Sequence, residues 1–180
     1  MRAKDMTQEE RLDYLIHYLC EDSVQYRGLR VEKAERRATL RSLMNIRMPG
    51  HVSAEFLEIQ DAFLQKEAWE KGIVDVEHIP TIREAYGITG QNSTRISLWQ
   101  GDITRLSVDA IVNAANSRML GCFVPCHGCI DNAIHSAAGI ELREECSRLM
   151  ERKGHEEATG EPHVTAAYNP PRKSSLHPVG

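Results

Sequence analysis

The chain has 180 residues, enough for one compact domain of roughly 150 residues with an extension. Apolar residues make up 41% and charged residues 27%, which is ordinary globular usage and excludes wholesale disorder. The 22 basic and 26 acidic residues give a net charge of −4, which disfavours nucleic acid as a partner. No apolar run approaches the roughly 20 residues of a membrane span, and the N-terminus lacks a secretory signal. We therefore expect a cytoplasmic protein with no membrane partner.

Residues 1–90 are predicted to form a helical N-terminal extension. A capping box at Thr7–Glu10 precedes apolar residues that recur at helical spacing from Leu12 to Leu19. A second periodic segment runs over about 31–44, and Ser53 is in the right place to cap a third helix.

The second helical segment also carries a run of basic side chains. Arg30, Lys33, Arg37 and Arg41 lie near one helical face. Such a face is usually solvated, and we predict that role here. A docking face for an acidic partner is the alternative.

Residues 91–180 have the pattern of an α/β layer. Ile96–Trp99 alternates as a short strand, and Ala110–Val112 is apolar like a buried strand. Residues 130–150 are predicted to be helical, with an interruption near Gly139. Ligands of such layers gather beyond the carboxyl ends of the strands.

The segment Cys122–Cys129, CFVPCHGC, combines thiols with an imidazole. Cys122, His127 and Cys129 suit zinc, and three ligands without an obvious fourth leave a position open for water or substrate. Cys126 is next to His127 and would struggle to reach the same ion. The alternatives are free thiols or a structural site completed by a distant fourth ligand.

Polar residues flank this segment on both sides. Asp131 begins the predicted helix and could accept a proton, orient water or stabilise a developing cation; alternatively it complements the helix dipole. Asn113 and Asn116 follow the buried strand, where amides can fix hydroxyl groups or simply form a turn.

Several motifs resemble the macrodomain signature. They are Gly101–Thr104 (GDIT), Val108–Asn116 (VDAIVNAAN), and Ala133–His135 (AIH) followed by Ala138-Gly139. The segment GCFVPCHGCIDN, and the helical RLDYLIHYL and LRSLMNIRMP, resemble the zinc-dependent macrodomain subfamily in particular. The resemblance implies an α/β/α fold of three layers with a mixed central sheet. It also implies a zinc-dependent hydrolase that removes mono-ADP-ribose from modified proteins, with a lipoyl-carrier protein as one associated partner.

The resemblance implies a role for each residue that matches a family motif. Zinc would be held by Cys122, His127 and Cys129. Asp131 would be the catalytic carboxylate, and Asn116, also catalytic, would contact the distal ribose. The remaining substrate contacts would come from Asp102 at the adenine amino group, Ile103 through its backbone, and Asn132, which stands where other macrodomain hydrolases have glycine.

One feature of the family is missing from the sequence. Macrodomains have a late glycine-rich loop around the diphosphate, and no Ser/Thr-x-Gly-x-aromatic-Gly stretch occurs here. Leu176–Gly180 resembles a family strand, but Pro178 would remove a ladder donor from a central strand. We therefore expect only the N-terminal half of the macrodomain. The alternatives to hydrolysis are a reader that binds ADP-ribose without turnover and an inactive truncated fragment with a structural zinc loop.

Overall fold

The computed structural model describes residues 3–179, so Met1, Arg2 and Gly180, at the ends of the two predicted domains, lie outside the described residues. The N-terminal part contains α1 (Gln8–Glu21), α2 (Arg36–Ile46), α3 (Ala54–Glu70) and the short α4 (Ile82–Tyr86). The predicted capping box is present, because Thr7 Oγ1 accepts from the Glu10 backbone N–H while the Glu10 carboxylate accepts from the Thr7 N–H. Ser53 caps α3 with its side chain alone, its Oγ accepting from the Phe56 backbone N–H.

The first three helices pack around one apolar core. Leu15, Leu40, Phe56 and Ile59 are almost completely buried within it. Among the described residues, no helix is both long and apolar enough to cross a bilayer.

A mixed sheet follows the helical part. Strands β1 (Val74–Asp75) and β2 (Leu106–Ser107) form a small parallel pair. The main sheet has the order β3-β5-β4, with β3 (Ala110–Val112) parallel and β4 (Pro162–Ala166) antiparallel to β5 (Ser174–Pro178). Two helices complete this part, α5 (Ile130–Ala138) and α6 (Ile140–Lys153). The α/β class, the mixed sheet and the helix break at Gly139 are confirmed.

Two expectations about strands are wrong. Ile96–Trp99 forms a single bridge, from Ser97 to Thr81, and Ile96 and Leu98 remain exposed. The objection to Pro178 also fails, although it does lie in the central strand. It is the last residue of β5, so only the end of the ladder lacks a donor, and its carbonyl still accepts from the Ala115 N–H.

The predicted basic face is only partly solvated, and Arg30 and Lys33 lie before α2 begins, which corrects the sequence prediction. Arg30 and Lys33 are exposed. Arg37, in contrast, makes two hydrogen bonds to the carboxylate of Glu67 on α3. Arg41 bonds to Asn132 on α5. Half of the face is therefore used inside the molecule.

Arg143 of α6 joins the helical part to the α/β part. Its guanidinium donates to the backbone carbonyls of Met44, Asn45 and Arg47 at the end of α2, and to that of Leu120. The last carbonyls of a helix have no partner within the helix, so a buried cation with several donors satisfies them well. Burial lowers the pKa of Arg143 to about 10, which leaves it charged at neutral pH.

We expect Arg143→Met to lower the free energy of unfolding by about 3 kcal/mol, because several buried carbonyls lose a charged donor. Urea denaturation of the purified variant measures this change. The control is Arg152→Met, which alters an exposed arginine on the same helix and should cost less than about 0.5 kcal/mol. Equal effects in the two variants would contradict the role of Arg143.

Candidate functional site

Three potential metal ligands meet in the segment that connects β3 to α5. One ligand atom from each of Cys122, His127 and Cys129 lies within 4.8 Å of the other two. Cys122 Sγ is 3.6 Å from His127 Nδ1. Cys129 is also the N-cap of α5, with its Sγ accepting from the backbone N–H of Asn132 at 3.4 Å. The start of the helix thus fixes the position of one of the two sulfurs.

Cys126 lies outside this group of three ligands. Its backbone adopts the left-handed conformation, with φ of 52°. Its thiol points towards α2, where Sγ donates to the carbonyl of Ala38 and lies 3.2 Å from Ser42 Oγ. The expectation that Cys126 is spare agrees with this orientation.

The chemistry of the three donors fits zinc. Two thiolates and one imidazole are borderline-soft ligands of the kind that zinc prefers, and a set of three leaves a fourth position free. Burial raises the pKa of the Cys129 thiol, and the neighbouring Cys122 raises it further. A cation between the two sulfurs would offset the repulsion between two thiolates.

Asp131 follows the metal-ligand group directly and is held by two asparagine side chains. Asn113 Nδ2 donates to one carboxylate oxygen at 2.8 Å, and Asn116 Nδ2 donates to the other at 3.4 Å. Asp131 is buried, and this burial raises its pKa, while the hydrogen bond from Asn113 opposes the shift. The arrangement fixes the carboxylate in one orientation next to the metal-ligand group.

A buried polar chain supports Asp131 from the sheet. Asn113 Nδ2 is also 3.0 Å from His177 Nδ1, and His177 Nε2 is 2.8 Å from Thr165 Oγ1. Burial lowers the pKa of His177 to about 4, so its ring is neutral at pH 7. These hydrogen bonds connect β4, β5, the residue after β3 and α5. Sequence reasoning missed His177, which it treated only as part of a strand.

His135 lies one helical turn beyond Asp131, and both of its ring nitrogens are buried without a hydrogen-bond partner among the described residues. Its Nε2 is 3.5 Å from an Asp131 oxygen. Burial and the neighbouring Arg143 lower its pKa to about 3, so this contact is not an ion pair at neutral pH.

Asn132 does not occupy a substrate-facing position, which corrects the sequence prediction for its side chain. Asn132 is completely buried. Its Oδ1 accepts from Arg41, and its Nδ2 donates to the backbone carbonyl of Val124 at 3.0 Å. The next residue on a helix points about 100° away from its neighbour, so Asn132 turns towards α2 while Asp131 turns towards the sheet.

Asp102, which is expected at the adenine end, lines a groove that includes none of the metal ligands. Asp102 is exposed, and its Oδ1 accepts from the backbone N–H and the hydroxyl of Thr104. Asp102 and Thr104 line this shallow groove together with Arg41 and Ser136. Ile103 is partly buried against the apolar core of the α/β part. Within residues 3–179, no hydrogen bond joins Asp102 to the metal-ligand group.

Comparison with known proteins identifies the fold. Residues 112–180 match the model of the Macro domain family. The Trypanosoma brucei macrodomain, whose crystal structure is solved in complex with ADP-ribose, is 26% identical to this chain in sequence. The two structures superpose with a TM-score of 0.51. The match covers 84% of this chain and 60% of that one. The α/β part therefore has the macrodomain fold.

Two relatives extend the likeness to the helical part. A protein-ADP-ribose hydrolase of Treponema medium is 47% identical over 97% of this chain and 66% of its own length. A protein-ADP-ribose hydrolase of Staphylococcus aureus strain MSSA476 is 42% identical over 78% of this chain and 49% of its own. This chain thus spans 66% of the length of the first relative and 49% of the second.

Proposed function

With the macrodomain fold as the premise, we propose that this chain removes mono-ADP-ribose from modified proteins. The proposal includes a zinc ion held by Cys122, His127 and Cys129, with Asp131 acting at the distal ribose. The observation that carries it is the adjacency of these groups: a buried, amide-held carboxylate stands two residues after the last metal ligand. The names of the Treponema and staphylococcal relatives support the same reaction.

A zinc ion in this site would supply a Lewis acid that polarises an oxygen of the substrate or of bound water. The chain contributes the two sulfurs and the imidazole that hold the ion. Cys129 is fixed by the first turn of α5, which gives that ligand a defined direction.

Asp131 supplies the negative charge of the site. As a general base it would take a proton from the attacking water, and as a fixed charge it would stabilise the cation that develops at the anomeric carbon. Asn113 and Asn116 each donate to a different carboxylate oxygen, which fixes the orientation of the carboxylate plane. Asn116 is exposed, so its side chain is also accessible to a ribose hydroxyl.

Substrate binding in this proposal extends from the metal-ligand group towards the groove at Asp102. The carboxylate of Asp102 would accept from the adenine amino group, and the Ile103 backbone would add a contact. Asn132 is left out of this set, because its amide is already engaged by Arg41 and Val124.

The partner class is a mono-ADP-ribosylated protein, with a lipoyl-carrier protein as the first substrate to test. A cytoplasmic location is part of the proposal. It is supported by the state of the cysteines: all five are free thiols, a condition that a reducing compartment preserves.

A reader without turnover is the second candidate, because the Trypanosoma structure contains bound ADP-ribose. Two measurements on one zinc-loaded preparation separate the candidates: calorimetric binding of ADP-ribose, and release of free ADP-ribose from a modified carrier protein followed by chromatography. We expect both binding and release. Binding without release would favour the reader, and a folded preparation that shows neither would overturn both candidates.

A further inference from the structure

The metal-ligand segment is held in place by one face of α2. Arg41 and Asn45 lie one turn apart on that helix, and both reach across to the segment Cys122–Cys129. Residues spaced by four positions lie on the same side of a helix. The contacts join residues more than 80 positions apart in the chain, so they depend on the packing of α2 against α5.

Arg41 makes the most extensive of these contacts. Its Nη2 donates to the backbone carbonyl of the ligand His127 at 3.0 Å. The same nitrogen and Nε both donate to Asn132 Oδ1, at 2.7 and 3.1 Å. The guanidinium therefore fixes the backbone of one ligand directly and orients the buried amide of Asn132.

Asn132, which Arg41 orients, makes hydrogen bonds to the beginning of the segment. Its Nδ2 donates to the backbone carbonyl of Val124 at 3.0 Å and approaches that of the ligand Cys122 at 3.5 Å. Its backbone N–H donates to the sulfur of Cys129. Asn132 thus contacts the backbone near the first ligand through its side chain and the sulfur of the last ligand through its own backbone N–H.

Asn45 holds the middle of the segment. Its Oδ1 accepts from the backbone N–H of Cys126 at 2.9 Å, and its Nδ2 donates to Ser136 Oγ on α5. Asn45 is almost completely buried. The hydrogen bond satisfies an N–H of a residue with positive φ, a conformation that needs such support outside glycine.

We propose that Arg41 is a positioning residue for the metal site, acting through Asn132 and the carbonyl of His127. The helical extension is then part of the metal centre, because α2 supplies the contacts that keep three ligands within reach of one ion. Partners of this kind, which orient ligands without touching the metal, set affinity in many metalloproteins. The inference rests on the zinc site of the proposed function.

The test compares metal affinity in Arg41→Ala, Arg41→Lys and the wild-type chain. Zinc affinity is measured by competition with a chromophoric chelator, and the visible absorption of the cobalt(II)-loaded protein reports the ligand geometry. We expect Arg41→Ala to bind zinc roughly 10- to 100-fold more weakly and to show an altered cobalt spectrum. Arg41→Lys should recover part of the affinity, since an ammonium group can donate to one of the two acceptors.

The control is Arg36→Ala, which removes an arginine at the start of the same helix. Arg36 pairs with Asp13 of α1, away from the metal-ligand segment. Thermal unfolding in the presence of chelator reports whether each variant is folded without metal. If Arg41→Ala is unfolded, the zinc affinity and cobalt spectrum of Arg41→Lys are compared with those of the wild-type chain instead.

Three results are distinguishable. Weaker zinc binding in the Arg41 variants, with Arg36→Ala unchanged and all chelated proteins folded, supports the inference. Unchanged affinity and an unchanged cobalt spectrum in Arg41→Ala overturn it and leave the proposed zinc site standing. A wild-type chain that binds no zinc overturns both, and this is seen before any variant is compared.

Discussion

Cys129→Ser is expected to lose both zinc binding and the release of ADP-ribose. Serine keeps an oxygen that can cap α5, so the first turn should survive, while the thiolate ligand is lost. Loss of a residue that only orients a ligand weakens metal binding by up to roughly 100-fold. Loss of the ligand itself should weaken zinc binding by more than that. Zinc content by elemental analysis and release of ADP-ribose by chromatography measure the two effects.

Cys126→Ser is the matched control for this prediction. It makes the same substitution three residues upstream, in a thiol that points to Ala38 and Ser42. We expect it to keep its zinc and its activity. A Cys129→Ser protein that releases ADP-ribose at the wild-type rate without bound metal would exclude the zinc site from the reaction.

Asp131→Asn is expected to keep zinc and ADP-ribose binding but to lose turnover. Asparagine has nearly the same shape and can still accept from Asn113 Nδ2, so only the longer contact from Asn116 should be lost. It has neither the charge nor the basicity of the carboxylate. Loss of such a group typically slows a reaction by roughly 10²- to 10⁴-fold, measured here as the single-turnover rate.

The control replaces Asp109, which is exposed and pairs with Lys173 at the surface. Asp109→Asn should leave both turnover and zinc content unchanged, since an exposed ion pair contributes little. Undiminished turnover in Asp131→Asn would remove Asp131 from its proposed role. Loss of zinc in that variant would instead mean that the carboxylate supports the metal site.

Features fixed by near neighbours in the chain could be predicted from the sequence. The caps at Thr7 and Ser53 each depend on a residue three positions later. The three candidate ligands fall within one eight-residue segment, and the structure brings them together. These features need little knowledge of the tertiary fold, because the chain itself keeps their atoms close.

Features that depend on packing could not be predicted. The contact between Asn113 and His177 joins residues 64 positions apart, and that between Arg41 and Asn132 joins residues 91 apart. Sequence reasoning took Arg41 for a solvated side chain, because no pattern in α2 indicates which helix lies opposite it. The expectation for Pro178 is wrong for a related reason: the effect of a proline depends on whether it ends the strand, and the sheet defines where β5 ends.

The measurement that tests the central claim most directly is the intact mass of a mono-ADP-ribosylated lipoyl-carrier protein after incubation with this chain. Three samples are compared: the zinc-loaded protein, the same protein after chelation, and the chelated protein with zinc restored. The account predicts that the carrier loses the mass of one ADP-ribose in the first and third samples and keeps it in the second. Equal loss in all three samples, or no loss from a folded, zinc-loaded protein, would contradict zinc-dependent hydrolysis.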